Sequence, residues 1–129
     1  MRHAYSDDPV PALVVQVRVA GLGAGEHVEV SGKLDTGADI SGVPAEVLAE
    51  LGVPPYGEIR IRGAQDAAGR AVPTYFVEMS IGDEKLFALE VVAIPKEYVL
   101  VGRDLLNGYI LHADGPKLEF DLTLPDRAT

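Results

Sequence analysis

Asp35-Thr36-Gly37-Ala38-Asp39 is the stretch whose residue types and spacing could do chemistry. Asp35 ends an apolar, alternating segment, where its carboxylate could hold or accept a proton. Two carboxylates about 3 Å apart cannot both ionise, so such a pair keeps one proton and can activate a water. The chain contains no second Asp-Thr-Gly and no Asp-Ser-Gly. A partner carboxylate of this kind therefore has to come from another copy. Taken alone, the pentad also reads as an ordinary turn, since Asp and Thr cap backbone groups and Gly accepts positive φ.

A second segment lies far downstream, Val99-Leu100-Val101-Gly102-Arg103-Asp104-Leu105-Leu106-Asn107. The two together resemble the retropepsin-like aspartic proteases, the homodimeric retroviral type and its cellular and bacterial relatives. There, a strand ending in hydrophobic-Gly-Arg-Asp/Asn-Leu-Leu packs beneath the catalytic loop. The spacing, with room for one helix and a flap hairpin, is also similar to that family. The resemblance runs from about Ala12 to Phe120. It implies an all-β closed barrel with one or two short helices and a flap.

It further implies an aspartic endopeptidase with no cofactor and no metal, a homodimer acting on polypeptide. Asp35 of two protomers would form the dyad, which titrates in two steps belonging to the pair. Thr36 would brace the dyad through its hydroxyl, and Gly37 would let an amide approach the carboxylate. Substrate would meet Gly37, Ala38, Asp39, Tyr98, Leu100, Lys33 and the flap residues Ala64 and Gln65. Asp39 would pair with Arg103, partly buried and bidentate, above a close approach at Gly102. Core packing is the competing role for Leu100. A dimeric peptide-binding or scaffolding module that kept the fold and lost turnover is the alternative function.

Lys33 departs from the family, which usually carries apolar residues just before Asp-Thr-Gly. Period two places Lys33 on the face of Asp35. Its ammonium would either favour ionised carboxylates in the dyad or enter a subsite that prefers acidic side chains. Ser31 and Ser41 have no His-centred triad around them, which argues against nucleophilic serine catalysis.

Composition narrows the classes without choosing one. The 129 residues suit a single domain, 1–129, with a core of its own. The formal net charge of −9 disfavours nucleic acid and anionic membrane surfaces. No cysteine is present, and His3, His27 and His112 lack ligand spacing. No apolar run approaches the roughly eighteen residues of a membrane span, and residues 1–10 lack a signal-peptide core. A soluble cytoplasmic protein is the expectation.

The elements that must position the pentad follow from periodicity and punctuation. Leu13, Val15, Val17 and Val19 alternate as one strand face, and Val28, Val30, Gly32 and Leu34 as the next. Val47, Leu48 and Leu51 predict a short helix entered at Pro44 and stopped by Gly52. Strands are expected over Ile59–Arg62 and Val72–Ile81 around a loop from Gly63 to Gly69, then over Lys85–Val92 and Tyr98–Val101. Asp104 is expected to cap a short helix, and a last hairpin to join Tyr109–His112 with Lys117–Asp121. Leu118, Phe120, Leu122 and Leu124 alternate as an apolar edge, which would place the tail in the dimer interface.

Overall fold

The computed structural model describes residues 2–6, 12–23, 25–63, 66–82 and 85–125, without the side chains of 62–68. Among the described residues, ten strands and two short helices follow in chain order. They are β1 (Arg2–Ala4), β2 (Val14–Gly21), β3 (His27–Leu34), β4 (Gly42–Pro44), α1 (Ala45–Leu51), β5 (Pro55–Gly63), β6 (Asp66–Ile81), β7 (Phe87–Ile94), β8 (Val99–Val101), α2 (Arg103–Leu106), β9 (Ile110–Asp114) and β10 (Glu119–Thr123).

The main sheet runs β2-β3-β8-β4-β7-β6, and β6 pairs back onto β2, so six strands close into a barrel. The contacts β3–β8 and β4–β7 are parallel, and the others around the ring are antiparallel. Closure turns both alternating faces that the sequence marked toward the core. Val15, Val17 and Val19 of β2 join Val77, Met79, Val91, Val99 and Val101 in the core. Val28, Val30 and Leu34 of β3 pack against it. Gly32 belongs to that inward face because a Cβ there would sit 2.4 Å from Val17 Cγ2.

The helix α1 ends as expected. Gly52 adopts φ 66° and donates its N–H to Ala49 O at 3.1 Å, while Val53 N–H reaches Leu48 O at 3.1 Å. Val47 and Leu48 are the buried residues of its inner face.

β5 and the first half of β6 form a long hairpin outside the ring, whose tip residues Ala64 and Gln65 lie outside the described residues. The expected loop from Gly63 to Gly69 is shorter than the sequence suggested, since pairing continues to Gly63↔Asp66. A register irregularity beyond Ile61↔Arg70 absorbs the extra residues, and Gly69 at φ 80° supplies the backbone freedom a bulge needs. β7 stops at Ile94, just before Pro95. Gly82, just after β6, has φ 63°, and residues 83 and 84 lie outside the described residues.

The tail differs from expectation. β10 is the middle strand of a second sheet, β1-β10-β9, so both its edges are already paired. Phe120 and Leu122 are buried in the chain's own core. The apolar alternation is thus used internally, and β10 offers no free edge to a second copy. No periodicity announces β1, which is three residues long and mostly polar. Arg2 on it bonds Glu119 and Asp121, each at 3.1 Å, and hydrogen bonding and attraction from Asp121 raise the guanidinium pKa.

Candidate active site

β3 delivers the pentad and β8 runs beneath it. The parallel register pairs Gly32 with Val99, Lys33 with Leu100 and Leu34 with Val101. The Asp35 amide then continues the ladder, donating to Val101 O at 2.8 Å. Asp35 therefore stands at the point where the chain leaves the sheet, on a backbone fixed from below.

The turn that follows is built by its own polar groups. Ala38 N–H donates to Asp35 O at 3.2 Å, and Gly37 N–H donates to Asp35 Oδ1 at 2.9 Å. A Cβ on Gly37 would lie 3.2 Å from that oxygen, tighter than ordinary contact. Glycine here lets the amide hold the carboxylate in one orientation. Asp35 Oδ2 accepts no hydrogen bond among the described residues, so one oxygen stays open. Thr36 and Gly37 are exposed, and Asp35 and Ala38 are half-exposed.

The downstream element clamps the far side of the turn. Arg103 N–H donates to Ala38 O at 2.8 Å. Its guanidinium bridges two points, with Nη1 to Thr36 O at 3.1 Å and Nη2 to Asp39 Oδ1 at 2.8 Å. This corrects the expected bidentate, partly buried pair: the side chains are 87% exposed for Asp39 and 47% for Arg103. One fork arm is taken by the Thr36 carbonyl, which leaves a single contact for the carboxylate. Such an exposed contact contributes no more than about 1 kcal/mol. A Cβ on Gly102 would meet Ala38 O, Ile40 C and Ile40 O, each at 3.0 Å. The close approach expected at Gly102 is therefore a backbone-on-backbone contact.

Ser41, which sequence reasoning considered only as a nucleophile, is a hub of this clamp. It is 0% exposed. Its hydroxyl donates to Asp104 Oδ1 at 2.6 Å, its amide donates to Asp104 Oδ2 at 2.9 Å, and Gly102 N–H donates to its Oγ at 2.9 Å. Asp104 is accordingly not the N-cap: Gly102 holds that place, and Asp104 sits in the first turn with its carboxylate turned to Ser41. A serine flanked by Ile40 and Gly42-Val43 was the available signal, because a buried hydroxyl needs a partner.

Lys33 and Tyr98 are brought together, with the ammonium 4.9 Å from the ring centroid. Lys33 and Leu100 are adjacent by register on the face away from the core. No ion pair joins Lys33 to Asp35 among the described residues. The expected substrate contacts Ala64 and Gln65 lie outside those residues. A separate apolar recess of about 380 Å³, lined by Leu22, Leu51, Pro54, Tyr56 and Phe76 among others, includes no pentad residue. Among the described residues no three His, Cys, Asp or Glu side chains are grouped to hold a metal, and no helix is long and apolar enough to cross a membrane.

A closed six-stranded barrel with an Asp-Thr-Gly turn braced from below by a Gly-Arg-Asp helix start defines a retropepsin-like aspartic protease fold. The sequence matches the aspartyl protease family over residues 15–105, and the chain belongs to that family. Among solved structures, it is similar to a retropepsin-like aspartic protease from Rickettsia conorii, with TM-score 0.64 at 17% identity, covering 96% of this chain and 89% of that one. EIAV protease, solved with the inhibitor HBY-793, gives TM-score 0.53 at 20% identity over 74% and 86% of the two chains. A foamy viral protease-reverse transcriptase gives TM-score 0.62 at 23% identity; the match covers 80% of this chain and only 12% of that one. Comparison with curated proteins finds no match.

Proposed function

We propose that the chain is an aspartic endopeptidase whose active site assembles from Asp35 of two copies. The observation that carries this reading is the Asp35 carboxylate itself: one oxygen is fixed by Gly37 N–H at 2.9 Å and the other is open, on a turn that occurs once per chain. A single carboxylate cannot accept a proton from water and, at the same moment, donate a hydrogen bond to the scissile carbonyl. Two at about 3 Å hold one proton between them, so one oxygen acts as base while its twin hydrogen-bonds the scissile carbonyl.

The surrounding groups support that chemistry by holding the turn rather than reacting. Gly37 N–H is committed to Asp35, which leaves its carbonyl, with the backbone of Asp39, for an extended substrate. The β5–β6 hairpin would act as the flap, pairing with the substrate's outer edge and excluding water. Membership of the family supports peptidase function in general; the two-protomer dyad and turnover are the proposal.

The test is cleavage of an unfolded protein at acid pH by the wild type and by Asp35→Asn, with the assembly state of both followed by sedimentation. Cleavage blocked by a pepstatin-type transition-state analogue and abolished in a still-dimeric variant supports the reading. Cleavage unchanged by the substitution would refute it. A dimer that binds the analogue without cleaving anything would favour the peptide-binding module instead.

A further inference from the structure

We infer that Lys33 selects an acidic side chain in the substrate, at the position lying over the outer face of β3 beside the reacting bond. The inference rests on the proposed peptide-cleaving site and adds a preference to it.

Lys33 precedes Asp35 by two residues, so strand alternation sets both on one face with Cα atoms roughly 7 Å apart. In register it stands between Val14 of β2 and Leu100 of β8. These neighbours are half-buried and apolar, and they offer the ammonium nothing. Its contact is the Tyr98 ring, 4.9 Å away. Tyr98 precedes Val99, the partner of Gly32, so the ring lies behind Lys33 along the strand, on the side away from Asp35. The ammonium is therefore drawn back from the catalytic carboxylate rather than paired with it.

No carboxylate partners Lys33 among the described residues. The next acid along this face of β3, Glu29, is turned to Arg18 at 3.6 Å. A half-buried cation resting on an aromatic face, with its stem packed on aliphatic neighbours, is already ordered and lacks a counter-charge. A substrate carboxylate reaching this row supplies one through a charge-assisted hydrogen bond. The chain's net charge of −9 would repel an acidic peptide at long range, so the preference has to arise from this short contact.

The experiment measures binding, so it does not depend on turnover. Fluorescent statine-centred octapeptides carry Glu or Gln in turn at each position flanking the statine, and their Kd values are compared by anisotropy. The wild type is set against Lys33→Met, which keeps the stem, and Lys33→Arg, which keeps the charge. At one position Glu is expected to bind about tenfold more tightly than Gln. Lys33→Met should erase that ratio, Lys33→Arg should retain it, and added salt should shrink it. Equal binding of Glu and Gln peptides at every position, or a Glu preference that persists in Lys33→Met, overturns the inference and leaves the peptidase reading standing. Failure of the wild-type dimer to bind any statine peptide removes both.

Discussion

Ser41 and Asp104, 63 positions apart, are joined by two hydrogen bonds, the serine amide to Oδ2 at 2.9 Å and its hydroxyl to Oδ1 at 2.6 Å. The pair ties the exit of the Asp35 turn to the first turn of α2. Through Gly102 N–H it also fixes the strand that runs beneath the pentad. Ser41→Ala strips an acceptor from a buried amide and a donor from Asp104. It should destabilise the protein by about 1–3 kcal/mol, read by urea denaturation at fixed protein concentration. Asp104→Ala should cost more, because Ser41 O–H and Ser41 N–H both lose their acceptor and Leu105 N–H is left with Gly102 O alone, at 3.2 Å.

Gly102→Ala tests the approach of α2 to the turn. Its Cβ would press on three backbone atoms at 3.0 Å, none of which can move like a side chain. The expected loss is about 1–3 kcal/mol. Because Ala38 O is both pressed by that methyl and bonded to Arg103 N–H, the pentad should shift with it. Cleavage should fall by more than the loss of folded protein accounts for, and activity normalised to folded fraction is the check.

The tail makes a different prediction than its alternation alone suggested. Leu122 is 1% exposed and pairs with Leu111 inside the three-stranded sheet. Leu122→Ala should cost about 2–5 kcal/mol in unfolding free energy. Truncation after Phe120 should lower the thermal midpoint of the single chain itself. A truncated chain that melts like the full one, and merely dimerises less, would restore the interface reading.

Mixing experiments bear on the shared dyad. If each active site needs Asp35 from both protomers, wild type refolded with an equal amount of Asp35→Asn leaves about one quarter of dimers with two intact carboxylates. Specific activity per wild-type chain should therefore halve, and it should also fall as the wild type is diluted toward dissociation. Activity per wild-type chain that is unaffected by the inactive partner would show that one carboxylate suffices.

Much of the barrel was legible because its signals are local. Alternation in Leu13–Val19 and Val28–Leu34, the stop at Gly52 and the break at Pro95 depend only on neighbouring residues, and each matched an element boundary to within a few positions. Asp35-Thr36-Gly37 and Gly102-Arg103-Asp104 were visible for the same reason, as compact turn chemistry. The continued pairing toward the hairpin tip was not legible, because backbone pairing through a glycine bulge leaves little mark on side-chain type.

Other features belong to the tertiary structure, because they join residues far apart in sequence with no local pattern to announce them. Closure through β2 and β6, the polar three-residue β1 laid on β10, and the burial of Ser41 against Asp104 depend on which distant backbones meet. The same holds for Lys33. Its sequence position set the ammonium on the face of Asp35, and only the parallel register of β3 with β8 placed Tyr98 beneath it, away from the carboxylate. Side-chain period fixes which way a residue faces; what it faces is decided by topology, since a strand's neighbour across the sheet is chosen by the fold.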